Sequence, residues 1–187
     1  IIEKTAPVFN RKGYAGTSLT DLTETTGLTK GSIYGNFENK DEVALAAFDY
    51  NLLQMVARVR TVQSNNPTAL GKLQAYITVY RTGLSKPTLS AGCPIVNTGV
   101  DADDTHPLLQ KKVSEALAGW HRSISAIIHQ GMRSGEIKER VDVPAFASLM
   151  IAMIEGGITV SKISGDNSYL SQSLDHLEQV ISTQLRK

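Results

Sequence analysis

Cysteine is nearly absent from this 187-residue chain. The single one, Cys93, excludes an internal disulfide and any paired-cysteine metal framework, and it suits a reducing cytoplasm better than a secreted scaffold. A surplus of charge is missing too. Lys and Arg number 19 against 18 Asp and Glu, so no global excess announces a nucleic acid, a membrane surface or an acidic substrate. The longest apolar run, Leu149 to Ile154, stops at Glu155 and falls far short of the roughly 20 residues that span a bilayer. No membrane partner and no signal peptide are therefore expected. His106, His121, His129 and His176 are dispersed, and no His-Glu-x-x-His helix, Walker loop or Gly-x-Ser-x-Gly elbow occurs. The expectation is no catalytic residue, no metal and no cofactor, hence no enzyme. The chain opens on Ile1 without an initiating Met, and further residues are expected before it.

What is present is helical punctuation. Ile2, Ala6 and Phe9 recur at the period of one helix face, and Gly13 suits the end of that run. Ser18 with Asp21 reads as a capping box, and Gly27 ends the short helix that it starts. Thr29 caps a third helix predicted to run through Phe37, and Asn39 with Glu42 repeats the box for a longer fourth. Pro67 is expected in the first turn of a fifth helix. Residues 86–97 read as a loop leading to a short helix, followed by helices opened by Pro107, by Asp142 with Pro144, and by Ser168. Near Asp101, Asp103 and Asp104, helix capping is expected rather than cation binding. No alternating strand and no repeat appears, so the fold class is all-α. Short helices followed by long ones put a boundary near residue 45. That leaves an N-terminal unit, residues 1–45, and a larger helical body, residues 46–187.

Residues 16–37 form a short helix, a turn at Gly27-Leu28 and a second short helix, which is a helix-turn-helix. Leu19, Leu22, Leu28, Ile33 and Phe37 supply its buried sides. Thr29, Lys30, Gly31 and Ser32 stand at the tip of the second helix, small or polar, able to approach base edges in a major groove. Lys30, Tyr34, Asn36 and Lys40 can reach phosphates, as can Thr17 and Ser18 beside a helix N-terminus. Residues 1–60 carry seven basic and seven acidic side chains, a balance that disfavours avid non-specific DNA binding.

The stretch Gly27-Leu-Thr-Lys-Gly-Ser-Ile-Tyr-Gly-Asn-Phe-Glu-Asn-Lys-Asp-Glu-Val43, with residues 9–19 upstream, resembles the signature of TetR/AcrR-family transcriptional regulators. Asn36 departs from it, since the family often has His there. The resemblance implies a repressor bound as a homodimer to a palindromic double-stranded operator in the cytoplasm and released by a small-molecule effector. It also implies a four-helix dimer interface from the last two long helices. There Ala147, Ala152, Gly156 and Gly157 permit close approach, and Leu170, Leu174, Leu177 and Ile181 offer a ridge. The effector pocket it implies has as candidates Tyr76, Tyr80, Trp120, Met150 and Met153, with Asn97, His121 and Glu155 as polar anchors. Ser90-Ala-Gly-Cys-Pro-Ile95 is similar to a segment of subgroups that answer electrophiles and oxidants, which makes Cys93 a candidate sensor; the other reading is a small buried hydrophobe. The alternative function is an all-α small-molecule binding protein with no DNA role.

Overall fold

The computed structural model describes residues 1–83 and 92–187. The nine helices among these residues are α1 (Ile2–Gly16), α2 (Leu19–Thr26), α3 (Lys30–Tyr34), α4 (Lys40–Ser64), α5 (Ala69–Gly83), α6 (Pro94–Ala102), α7 (Pro107–Arg133), α8 (Val143–Ser164) and α9 (Ser168–Val180). A π-helical turn, Ile181–Leu185, continues α9, and one isolated bridge pairs Ile137 with Arg186. The described residues hold no strand, and the molecule is all-α. The expected loop over residues 86–97 lies partly outside the described residues. From Pro94 onward it is already α6.

Local chemistry explains most of the helix ends. Gly13 breaks the helical path inside α1 with a φ of 74°. Ser18 and Asp21 close a reciprocal capping box on α2, and Gly27 ends it in the left-handed conformation. Thr29 Oγ1 accepts the Ser32 N–H at the start of α3. That helix ends at Tyr34, three residues before the predicted Phe37, as Gly35 and Asn36 turn back on Gly31 and Ile33. The second box is displaced: Asn39 accepts from Glu42 N–H, while the Glu42 carboxylate takes the N–H of Glu38. Pro67 precedes α5 rather than opening it, because Thr68 takes the capping position through Gly71 N–H. No aspartate caps α7. His106 does so, its Nδ1 accepting the N–H of Leu109.

Packing divides the chain into two compact units, residues 1–56 with 91–116, and residues 57–90 with 117–187. In the first, Ala6, Phe9, Leu22, Ile33, Val43, Ala47 and Phe48 form one core with Ala102 and Leu109. Leu28, predicted to be buried, is 38% exposed, since the left-handed turn at Gly27 swings it outward. Asn51 Nδ2 donates to Ala6 O, tying α4 to α1.

In the second unit α5, α8, α9 and the C-terminal part of α7 pack together. Glu136 spans the open N-terminus of α5, its two oxygens accepting from Ala69 N–H at 2.7 Å and Leu70 N–H at 2.8 Å. Arg81 on α5 meets Asp175 and Glu178 on α9. Gly157 lets α8 approach α9, where an added Cβ would sit 3.2 Å from Leu170 Cα. Leu170, Leu174, Leu177, Ile181, Ala147 and Gly157 therefore face this unit's own core rather than a partner. Ala152 and Gly156 remain exposed, in a stripe with Leu149, Val160 and Ile163. Contrary to the reading from the longest apolar run, α8 is long and apolar enough to cross a bilayer by length and composition, with a mean hydropathy of 1.7. Glu155 and Lys162 are its only charged side chains, and one of its faces, with Phe146, Met150, Ile154 and Ile158, is buried within the protein.

Candidate nucleic-acid interface

The recognition tip follows from two caps and one core. Leu22 and Ile33, both fully buried, fix α2 against α3, so the N-terminus of α3 is held without help from its own short length. Thr29, Lys30, Gly31, Ser32 and Asn36 are all exposed, and Tyr34 and Lys40 are half-buried. The Thr29 and Ser32 hydroxyls lie 2.9 Å apart, each still able to turn to an outside partner. A Cβ built on Gly31 meets nothing nearer than Thr29 Oγ1 at 3.9 Å, so the tip is open. Asn36 Nδ2 donates to Ser32 O, which fastens the residue that departs from the family signature to the helix itself.

The remaining two expected DNA-binding residues divide. Ser18 is exposed at the N-terminus of α2, its hydroxyl engaged with Asp21. Thr17 is fully buried and its hydroxyl donates to Gly13 O at 2.6 Å, so its side chain braces the α1–α2 turn and is withheld from a phosphate. The Asp21 carboxylate is held down to about 2 by Lys12 at 2.5 Å first, then by the Ser18 N–H and hydroxyl.

Sequence reasoning passed over the contacts that join Tyr14 to Asp41, Asp101 and His106. Tyr14 donates its hydroxyl to Asp41, and Lys40 Nζ sits 4.2 Å above the centre of its ring. The bond to Asp41, then burial, pushes the Tyr14 hydroxyl up to about 12, so it stays a donor through the neutral range. Its aromatic character and place beside Gly13 were visible in the sequence, but its partners lie 27 and 87 residues away.

The expected effector residues fall into both units. Tyr76, Tyr80 and Trp120 are buried together in the second, Trp120 stacked on Tyr80 at 5.8 Å and tilted against Tyr76 at 6.1 Å. The Tyr76 hydroxyl donates to Ser123, its pKa raised by burial, and Trp120 Nε1 is buried with no hydrogen-bond partner among the described residues. Met150 and Glu155 are buried on α8, Met153 is half-buried, and His121 Nε2 lies 3.1 Å from Pro144 O. Two open grooves of about 620 and 420 Å³ in this unit involve none of these side chains. Cys93 and Asn97 belong to the first unit. Asn97 is committed to Asn10, and the Cys93 sulfur, 1% exposed at the N-terminus of α6, lies 3.9 Å from that of Met55.

Comparison with known proteins agrees with this geometry. Residues 1–47 match the family described as bacterial regulatory proteins, tetR family, and residues 69–177 match the tetracyclin repressor-like, C-terminal domain. A TetR-family transcriptional regulator from Cytophaga hutchinsonii is 43% identical and superposes with a TM-score of 0.90, covering 100% of this chain and 93% of that one. A TetR regulator from Chloroflexus aurantiacus is 35% identical at a TM-score of 0.93, covering 99% and 93%. The HTH-type transcriptional repressor DhaR of a Mycobacterium species is 25% identical over 93% of this chain and 86% of its own length. These are regulators, and the chain is not an enzyme. A helix-turn-helix with its tip open, carried on a helical body that matches along its length, places the chain in the TetR family of DNA-binding transcriptional regulators.

Proposed function

We propose that the protein is a cytoplasmic, homodimeric repressor that holds a palindromic operator with two copies of α3 and lets go when a small molecule occupies the second unit. The open tip at Thr29–Ser32, on a helix-turn-helix held by the fully buried Leu22 and Ile33, carries this reading. Thr29, Lys30, Gly31 and Ser32 approach base edges, and Lys30, Tyr34, Asn36 and Lys40 take phosphates, with Ser18 at the N-terminus of α2. The exposed stripe of Leu149, Ala152, Gly156, Val160 and Ile163 on α8 is the surface that meets a second copy, which accounts for its apolarity without a membrane.

The residues 1–45 and 46–187 are the DNA-reading and the effector and dimer segments. Trp120 supplies a buried N–H that an acceptor on the effector satisfies, against the rings of Tyr76 and Tyr80, with Met150, Met153, His121 and Glu155 from the same unit. Occupancy favours a conformer in which α4 tilts and the two tips no longer match grooves about 34–36 Å apart. Release by a bound molecule is favoured over modification of Cys93, because a thiol so deeply covered is slow to meet an oxidant or electrophile. Asn97 serves α6 rather than the effector, its amide being spent on Asn10.

The test is selection of duplexes from a random pool of about 30 base pairs, followed by binding at several salt concentrations. A palindrome should emerge. Lys40→Ala should weaken binding to all sequences and lower the salt slope by about one, whereas Thr29→Ala should alter base preference. Equal losses on selected and random DNA for Thr29→Ala would contradict the division of labour.

A further inference from the structure

Tyr14 is approached from three sides within the first unit. Its backbone N–H, and that of Ala15, donate to Asp101 Oδ2 at the C-terminal end of α6, at 2.5 and 3.4 Å. The positive φ of Gly13 aims both groups at one carboxylate, and only glycine leaves room, since a Cβ there would lie 2.7 Å from Asp101 Cγ. His106, which caps α7 only five residues further on, sets its ring edge-on to Tyr14 with centroids 4.5 Å apart. Because its Nδ1 accepts from Leu109, the neutral ring carries its proton on Nε2, buried and 3.7 Å from Asp41 Oδ1. Tyr14 then passes the constraint on, through its hydroxyl to Asp41 and its ring face to Lys40, both in the first turn of α4.

We infer that Tyr14 is a positioning residue through which the α6–α7 corner, by Asp101 and His106, holds Lys40 in place for a DNA phosphate. This rests on the assignment of Lys40 to a phosphate in the proposed function. The ammonium loses rotamer freedom over the ring before DNA arrives, so less is lost on binding. Any event that withdraws α6 from α1 takes Asp101 from the Gly13 turn and frees the tyrosine, the hydroxyl bond and the lysine together. The Asn97 amide, which joins α6 to Asn10 of α1 one turn before Asp101, makes that withdrawal a movement of the whole helix.

Ordinary electrostatics and the joint predict opposite signs for one variant. Asp101→Ala removes a negative charge from a DNA-binding protein, which by itself strengthens binding. The joint requires the reverse, about tenfold weaker affinity for the duplex selected by the unmodified protein, with a salt slope lowered by about one phosphate. In a Lys40→Ala background the same change should cost nothing further. Asp101→Asn, which keeps an acceptor oxygen, should lose less. Amide exchange in the DNA-free full chain should quicken at residues 41–44 in Asp101→Ala. Unchanged or tighter binding, or a loss that simply adds to that of Lys40→Ala, overturns the inference. Should the unmodified chain select no duplex, the phosphate role of Lys40 fails, and exchange at residues 41–44 still decides whether the joint exists.

Discussion

Lys12, Ser18 and Asp21 illustrate how single side chains set the surface proposed to read DNA. Asp21 closes the capping box of α2 and at the same time takes the Lys12 ammonium, so one carboxylate holds the helix that braces α3. Its folded-state pKa of about 2 lies below the ordinary 3.8. A depressed carboxyl stabilises the fold above the unfolded value and loses that contribution as pH falls through the folded one. The stability that the α2 cap contributes should thus be complete above about pH 4 and fade as pH falls through about 2. NMR titration of the Asp21 carboxyl should show a midpoint near 2, and Lys12→Met should raise it. A midpoint at the ordinary value in the unmodified protein would remove Lys12 from the cap. This part was legible in the sequence because Ser18 and Asp21 stand three residues apart. Thr17 shows the limit of that local reading, since nothing within a turn of it tells that its hydroxyl points inward to Gly13.

Among the elements, α5 depends on a residue far from it in sequence. Two of its orphan amides end on Glu136, a carboxylate that also complements the positive end of the helix. Glu136→Ala should cost about 1–2 kcal/mol and lower Tm by a few degrees, with Glu136→Gln losing less. An unchanged melting curve for the alanine variant would show that water or Thr68 suffices. Helices were readable from period and caps because those signals lie within one turn of the chain. Two of their boundaries shifted, as Gly35 shortened α3 and Thr68 displaced Pro67 at the start of α5. The long-range fasteners, Glu136 on α5 and Asp101 on α1, join residues 66 and 87 apart and leave no periodic trace. Leu170, Leu174 and Leu177 show the same limit. An apolar ridge is visible in the sequence, but whether it meets its own core or a second chain is settled by packing.

At the scale of the whole molecule, the proposed reading of a palindrome calls for two tips, and hence for a surface that joins two copies. Ile163 is 81% exposed on α8, and a Cβ on Gly156 has no neighbour within 4 Å, so this stripe contributes little to the fold of one chain. Ile163→Glu should leave Tm at high dilution nearly unchanged while shifting sedimentation toward a monomer and weakening operator binding. A dimer of undiminished strength would move the interface elsewhere.

The central claim is that the N-terminus of α3 enters a groove, and Gly31 tests it most directly. Open space surrounds this residue, so Gly31→Leu should preserve the fold and the dimer while its side chain blocks close approach to DNA. Affinity for the selected duplex, measured at one fixed salt concentration, should fall by roughly a hundredfold or more at unchanged Tm, the scale of several lost contacts. Binding as tight as that of the unmodified protein would contradict the account.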